Sequence, residues 1–289
     1  GPSKKAVNAI IESLSDTALY PDSNGFYLRQ KLSEIFSLSI DNVVLGAGSE
    51  GIMATIMRTF LNANDHILAT KNSFIGFRVL ANASGKKIDW VPMKDFRYDL
   101  EAMAAKISEK TKIIYLANPD NPTGSYFNKK EFDDFMNKVP NRALVILDEA
   151  YYEYASNLAD YPDSMLYRYD NIITLRTFSK SYGLAGLRVG YGFAHKDLIS
   201  NLMKVKLPFE PSIPAQAAAL AALDDFDHLE QTLNENKRQM TKLQNVLESY
   251  SLSYIPSSAN FLTLIFQNEN QANAFVKEFL KKGVILRHL

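Results

Sequence analysis

Short apolar, β-branched runs alternate with stretches of helical period over most of this chain, and that alternation restricts the fold more than any other feature. Val43–Leu45, Ile67–Ala69, Ile88–Val91, Ile113–Ala117, Leu144–Leu147, Ile172–Leu175 and Val189–Phe193 read as strands. Amphipathic or Ala/Leu-rich segments lie between most of them, as at Ile52–Leu61, Leu100–Ile107 and Lys129–Val139, and a further one follows at Ala215–Leu223. Parallel neighbours need long crossovers, and helices in those crossovers cover both faces of the sheet. After about residue 225 the pattern changes to a charged helix over Phe226–Tyr250, a strand-like Phe261–Phe266, a helix around Ala272–Lys282 and a final strand-like Val284–Arg287. The expectation is α/β. A large domain, residues 18–225, holds a mostly parallel seven-stranded sheet between helices. A smaller α+β domain spans 226–289, with residues 1–17 packing near it.

Composition removes several classes of function. The 32 Lys and Arg balance 32 Asp and Glu, so no basic excess remains to hold nucleic-acid or membrane phosphates. The absence of Cys excludes disulfide frameworks, Cys-ligated zinc, iron–sulfur clusters and thiol catalysis, and it fits a reducing, cytoplasmic compartment. His66, His195, His228 and His288 fall at no ligand spacing, so no metal site is expected. The best apolar run, Ala215–Leu223, contains Gln216 and is too short to span a bilayer. Gly1-Pro2-Ser3-Lys4-Lys5 leads straight into an amphipathic pattern, so no signal peptide is expected.

In open parallel sheets ligands bind beyond the carboxyl ends of the strands, so the residues that follow each strand carry the chemistry. Asn118-Pro119-Asp120-Asn121-Pro122-Thr123-Gly124 follows the fourth run, and Asp148-Glu149-Ala150-Tyr151 the fifth. The sixth is followed by Arg176-Thr177-Phe178-Ser179-Lys180-Ser181-Tyr182-Gly183 and, a few residues on, Gly186 and Arg188. Gly46-Ala47-Gly48-Ser49-Glu50-Gly51 follows the first and precedes a helix. An amide, a carboxylate, a lysine and an anion cradle thus converge on one edge.

That set suits pyridoxal phosphate, which needs a lysine for its aldehyde, a carboxylate for its ring nitrogen, donors for its phenolic oxygen and a cradle for its phosphate. On these motifs, taken in order with Tyr20-Pro21-Asp22 and Ile285-Leu286-Arg287, the chain resembles the fold-type I pyridoxal-phosphate-dependent aminotransferases, and within them the histidinol-phosphate group. The resemblance implies a fold-type I transferase architecture and a ping-pong reaction with an amino donor and a 2-oxo acid acceptor, 2-oxoglutarate. It implies that Lys180 binds the cofactor aldehyde and shuttles the proton, that Asp148 pairs with the ring nitrogen, and that Asn121 and Tyr151 donate to the phenolic oxygen. Thr177, Ser179 and Arg188 hold the phosphate with the amides of Gly48 and Ser49, and Phe74 stacks on the ring. Tyr20 reaches the phosphate of the neighbouring subunit, which implies a homodimer. Arg287 engages the substrate side chain, with Asn121 also at the substrate.

Other readings exist for several of these residues. Asn121 fits ordinary turn chemistry. Asp148 fits a cap on a helix beginning at Glu149, and Glu149 itself reads as structural. The glycine turn satisfies the dinucleotide fingerprint G-x-G-x-x-G, which points to a nicotinamide-dependent oxidoreductase. That fold needs an acid at the end of the next strand, where this chain has Ala69-Thr70-Lys71. Neutral charge speaks against a non-catalytic regulator that joins such a domain to a DNA-binding module. Within the resembled fold, aromatic amino acid aminotransferases and threonine-phosphate decarboxylases are the nearest alternatives. Set against the family pattern, the chain is expected to start after a substrate-covering segment and to stop one element short of the arginine that clamps the substrate carboxylate. A whole cofactor site and an incomplete substrate site follow from that expectation.

Overall fold

The computed structural model describes residues 1–164 and 170–289. In chain order the elements begin with helices α1 (Lys4–Ser13) and α2 (Phe26–Ile35), strand β1 (Val43–Gly46), α3 (Gly48–Phe60), β2 (His66–Thr70), α4 (Ile75–Ala83) and β3 (Lys87–Val91). They continue with α5 (Leu100–Lys106), β4 (Thr111–Ala117), α6 (Lys129–Met136), β5 (Leu144–Asp148), α7 (Tyr152–Ala155), β6 (Ile172–Thr177), β7 (Gly190–Ala194), α8 (Lys196–Val205) and α9 (Ile213–Leu223). The last part holds α10 (Phe226–Ser249), β8 (Tyr254–Ile255), β9 (Thr263–Leu264) and α11 (Glu269–Lys281).

Seven strands form one sheet in the order β1-β7-β6-β5-β4-β2-β3. All neighbours are parallel except β7, which runs antiparallel to both β1 and β6. Strand β1 therefore shares the direction of β6, and its carboxyl end opens on the same edge as those of β4, β5 and β6. Alternation of side chains sorts the core into layers. Ile113, Tyr115, Ile146 and Leu175 join a cluster with Ile52 and Ile56 of α3, Phe77 of α4 and Leu202 of α8. Ile114, Leu116, Val145 and Leu147 point the other way, against Met103 of α5 and Phe132 of α6. Val43, Leu45, Tyr191 and Phe193 pack on the small side chains of α9.

Helix α9 is apolar except for Gln216, and Ala215, Ala218, Ala219 and Ala222 are buried along it. With so little side-chain bulk, α1 lies close along it and buries Ala6. Ser3 caps α1 by accepting from the Ala6 amide at 3.1 Å. Helix α10 is the opposite case, with Leu247 alone among its described residues buried.

Two sequence expectations need correction. The strand expected over Phe261–Phe266 is confined to Thr263–Leu264, because β8 offers only Tyr254 and Ile255 as hydrogen-bonding partners. Val284–Arg287 forms no strand: it pairs with none of the described strands, and Ile285 is 85% exposed. No helix among the described residues is long and apolar enough to cross a membrane.

Candidate active site

A pocket of ≈ 150 Å³ opens at the carboxyl edge of the sheet. Asp148 ends β5 and Thr177 ends β6, while the turn after β1 leads into α3. The walls include Ser49, Phe74, Asn121, Asp148 and Tyr151, together with Thr177, Ser179, Lys180 and Arg188. All nine are residues expected from the sequence. Glu50, Pro119 and Ala150 also line it. A larger open groove of ≈ 540 Å³ lies against α5 and α6, lined by charged side chains such as Lys94, Glu101 and Asp134, and contains none of the nine.

Asp148 is buried at the pocket floor. Its Oδ2 accepts from Tyr115 Oη at 2.8 Å and its Oδ1 from the Ala150 amide at 3.2 Å. Burial pushes its carboxyl up to about 6; the two donors and the nearby Lys180 pull the other way. Helix α7 begins at Tyr152, so Asp148 does not cap a helix starting at Glu149. Lys180 has its pKa lowered by burial first and by Arg188 second, against the attraction of Asp148. Its Nζ lies 5.1 Å from the centroid of the Tyr151 ring. A buried carboxylate suits a protonated ring nitrogen, and a partly desolvated lysine suits a nucleophile and base.

Asn121 Nδ2 donates to Tyr151 Oη at 3.0 Å. Burial raises the Tyr151 phenol to about 12, so its hydroxyl keeps a proton to donate. Phe261 packs edge-on against the Tyr151 ring, with centroids 5.3 Å apart.

The opposite end of the pocket is built for an anion. Gly48, at φ +74°, turns the chain into α3, and a Cβ there would meet Arg188 Nη2 at 2.7 Å. Gly190 of β7 passes so close that its Cβ would sit 2.5 Å from the Ser49 amide nitrogen. Thr177 Oγ1 donates to Ser179 Oγ at 2.9 Å. Arg188 holds a left-handed backbone, φ +52° and ψ +60°, uncommon away from glycine and characteristic of functional sites. Its Nη2 lies 3.8 Å from Glu50 Oε2. Helix-start amides, two hydroxyls and a guanidinium are donors that could hold a phosphate, so the donor set fits pyridoxal phosphate at both ends.

Three expected site residues, Gly48, Tyr20 and Arg287, are not among those lining the pocket; Gly48 adjoins the lining residue Ser49. Tyr20 is 77% exposed and stacks on Phe209, with ring centroids 4.3 Å apart. Arg287 lies beyond α11, and its charge favours ionisation of the Tyr151 phenol. Sequence reasoning also missed a contributor, Tyr115, whose ring stacks on Phe77 at 3.9 Å while its hydroxyl supports Asp148. A tyrosine inside a buried apolar strand was the available signal, since its hydroxyl must find a partner.

The family model "Aminotransferase class I and II" matches residues 2–289. This chain belongs to the class I and II aminotransferases. The aminotransferase is 39% identical over 289 residues to histidinol-phosphate aminotransferase 1 of Nitrosococcus oceani, across 99% of this chain and 77% of the relative. A histidinol-phosphate aminotransferase of Geobacillus sp. is also 39% identical, across 99% of this chain and 78% of its own. The solved structure of histidinol-phosphate aminotransferase from Sinorhizobium meliloti, in complex with pyridoxal-5'-phosphate, matches with a TM-score of 0.93 at 31% identity. That match covers 99% of this chain and 79% of the other. The topology of this aminotransferase also separates it from the dinucleotide fold. Strands β1 and β2, which flank the glycine turn and α3, are not neighbours in the sheet, whereas the dinucleotide motif is a compact βαβ unit.

Proposed function

We propose that this chain is a pyridoxal-phosphate-dependent aminotransferase that acts as a histidinol-phosphate:2-oxoglutarate aminotransferase, in histidine biosynthesis, by a ping-pong mechanism. The observation that carries the reading is the convergence of Lys180, Asp148 and Arg188 on one pocket beyond the strand ends. The identity to histidinol-phosphate enzymes supports the substrate.

Bound in this pocket, pyridoxal phosphate supplies an aldehyde for the substrate amine and a ring that accepts the electron pair left at the substrate Cα. Asp148 holds a proton at the ring nitrogen, kept in aim by Tyr115 and the Ala150 amide. Lys180 Nζ takes the proton from Cα and delivers it to the cofactor's C4′; its lowered pKa makes the neutral amine accessible. Asn121 and Tyr151 donate to the phenolic oxygen. Gly48 and Ser49 amides, Thr177, Ser179 and Arg188 hold the phosphate, while Phe74 covers the ring. Arg287 and Asn121 orient the substrate, the guanidinium serving the substrate phosphate.

In the same reading two copies form a homodimer, and Tyr20 of each reaches the phosphate held by the other. The exposure of Tyr20 and Phe209, whose rings stack, and of Tyr27 supports it, because exposed apolar groups gathered in one patch mark contact surfaces. Lys206 Nζ donates to the Ser23 carbonyl at 3.0 Å and so ties the Tyr20 segment to the loop carrying Phe209. The chain divides into a large cofactor-binding unit, residues 18–225, and a smaller unit, 226–289.

The test is cofactor capture. Incubated with pyridoxal phosphate, the protein gains visible absorbance, and borohydride fixes the cofactor to the peptide containing Lys180. Lys180→Ala abolishes the adduct and turnover. An unchanged spectrum in that variant, or tight NADH binding without pyridoxal phosphate, refutes the reading. Side-by-side assays with histidinol phosphate, phenylalanine and threonine phosphate decide the substrate.

A further inference from the structure

Asp120 is fully buried beneath the pocket wall and has no part in the chemistry above. Its Oδ1 accepts from Ser73 Oγ at 2.5 Å, and its Oδ2 from Thr123 Oγ1 at 2.9 Å and the Thr123 amide at 3.2 Å. Ser73 immediately precedes Phe74, and its hydroxyl also shares a 2.8 Å hydrogen bond with Tyr98 Oη. Tyr98 Oη in turn accepts from the amide of Ala117, the last residue of β4, at 3.0 Å. Asn121 immediately follows Asp120.

One carboxylate therefore fastens two parts of the pocket wall, the turn that presents Phe74 and the turn that presents Asn121. The second turn also has backbone closures of its own. The Asp120 amide donates to the Ser125 carbonyl and the Gly124 amide to the Asp120 carbonyl, each at 2.8 Å. To these the carboxylate adds the two bonds from Thr123 within the turn and the link across to Ser73.

We propose that Asp120 is a positioning residue which, through Ser73, fixes Phe74 relative to Asn121 and so sets the width of the slot that receives the cofactor ring. The proposal rests on the pyridoxal phosphate reading of the pocket. An ionised carboxylate is suited to the task because it accepts from all three donors at once, whereas an amide has one accepting oxygen and must turn its NH₂ toward a donor. Asparagine at 120 thus keeps the shape and part of the network, and alanine keeps neither.

The experiment titrates pyridoxal phosphate into the wild-type protein, Asp120→Ala, Asp120→Asn, Ser73→Ala and the double variant Asp120→Ala/Ser73→Ala. It reads the dissociation constant, the induced circular dichroism of the bound cofactor and the thermal midpoint. Loss of a hydrogen bond to a buried charge predicts that each alanine variant binds the cofactor about tenfold more weakly. The dichroism per bound cofactor falls with it, because the ring is less firmly oriented. The double variant is no worse than the weaker single one, and asparagine recovers part of the loss. Wild-type affinity and dichroism in Asp120→Ala overturn the proposal even where the midpoint falls, as do two alanine effects that add in full. Should Asp120→Ala fail to fold, Ser73→Ala, at a half-buried position, carries the same comparison alone. A wild-type protein that takes up no pyridoxal phosphate overturns the pocket reading itself and this proposal with it.

Discussion

Tyr115 Oη donates a 2.8 Å hydrogen bond to Asp148 Oδ2, so the pocket's buried carboxylate is held by a residue two places from the end of the neighbouring strand. The strands β4 and β5 pair in parallel with Ala117 opposite Asp148, and the register itself sets this reach. Replacing Tyr115 by Phe keeps the stack on Phe77 and removes only the donor. We expect turnover to fall roughly tenfold, the scale of one hydrogen bond to a charged group, and the thermal midpoint to drop by a few degrees. Steady-state kinetics beside a melting curve check this; wild-type turnover would show that Asp148 needs no such support.

Asp148 also sets a dependence of stability on pH. Its carboxyl titrates at about 6 in the folded chain, against 3.8 for the free group, because burial opposes the charge. The folded state thus binds the proton more tightly than the unfolded one. The ionised form costs stability above about pH 6, and that cost disappears below about pH 4. Asp148→Asn should stabilise the cofactor-free protein at pH 7.5 by on the order of 2 kcal/mol. The gain should vanish as the pH approaches 4, while turnover at pH 7.5 drops by ~10²-fold. Urea denaturation of both proteins at the two pH values is the measurement, and a gap independent of pH would contradict the assignment.

Asp148 and Lys180 were legible in the sequence because Asp148 directly follows an apolar β-branched run and Lys180 lies in the segment just after the next one, and a parallel sheet brings strand ends together whatever their separation along the chain. The residues that support them were not. Asp120 lies within a turn whose Asn, Pro, Thr and Gly explain themselves as turn formers, and only the fold brings it to Ser73. The edge position of β1 was equally hidden, since nothing in Val43–Gly46 says that its partner is β7, far along the chain. The missing strand at Val284–Arg287 shows the converse. A β-branched run has strand character only where another strand receives its hydrogen bonds, and here none of the described strands does.

The proposed phosphate cradle depends on the absence of a side chain at Gly190. A Cβ there would lie 2.5 Å from the Ser49 amide nitrogen and 2.6 Å from the Gly48 carbonyl carbon, and backbone cannot move aside cheaply. Gly190→Ala should therefore push the start of α3 away from Thr177 and Arg188. Overpacking of this kind costs about 1–3 kcal/mol, so pyridoxal phosphate affinity should fall roughly tenfold or more. Inorganic phosphate should protect the wild-type protein against heat and the variant much less. Equal protection would mean that the anion does not sit between Gly48 and Arg188.

Arg287 lies within electrostatic reach of the pocket, since its charge favours ionisation of the Tyr151 phenol. A guanidinium at that place recognises a doubly charged phosphate better than a neutral side chain, through paired hydrogen bonds that a lysine does not reproduce. Arg287→Ala should raise KM for histidinol phosphate by about 10–100-fold, the loss of one charge-assisted contact. Pyridoxal phosphate affinity should stay the same, because in the proposed reading Arg188, and not Arg287, holds the cofactor's own phosphate. Activity toward histidinol, which lacks the phosphate, should be nearly unaffected, and Arg287→Lys should fall between. If both substrates lose activity in equal proportion, Arg287 acts through Tyr151 and the cofactor rather than on the substrate phosphate.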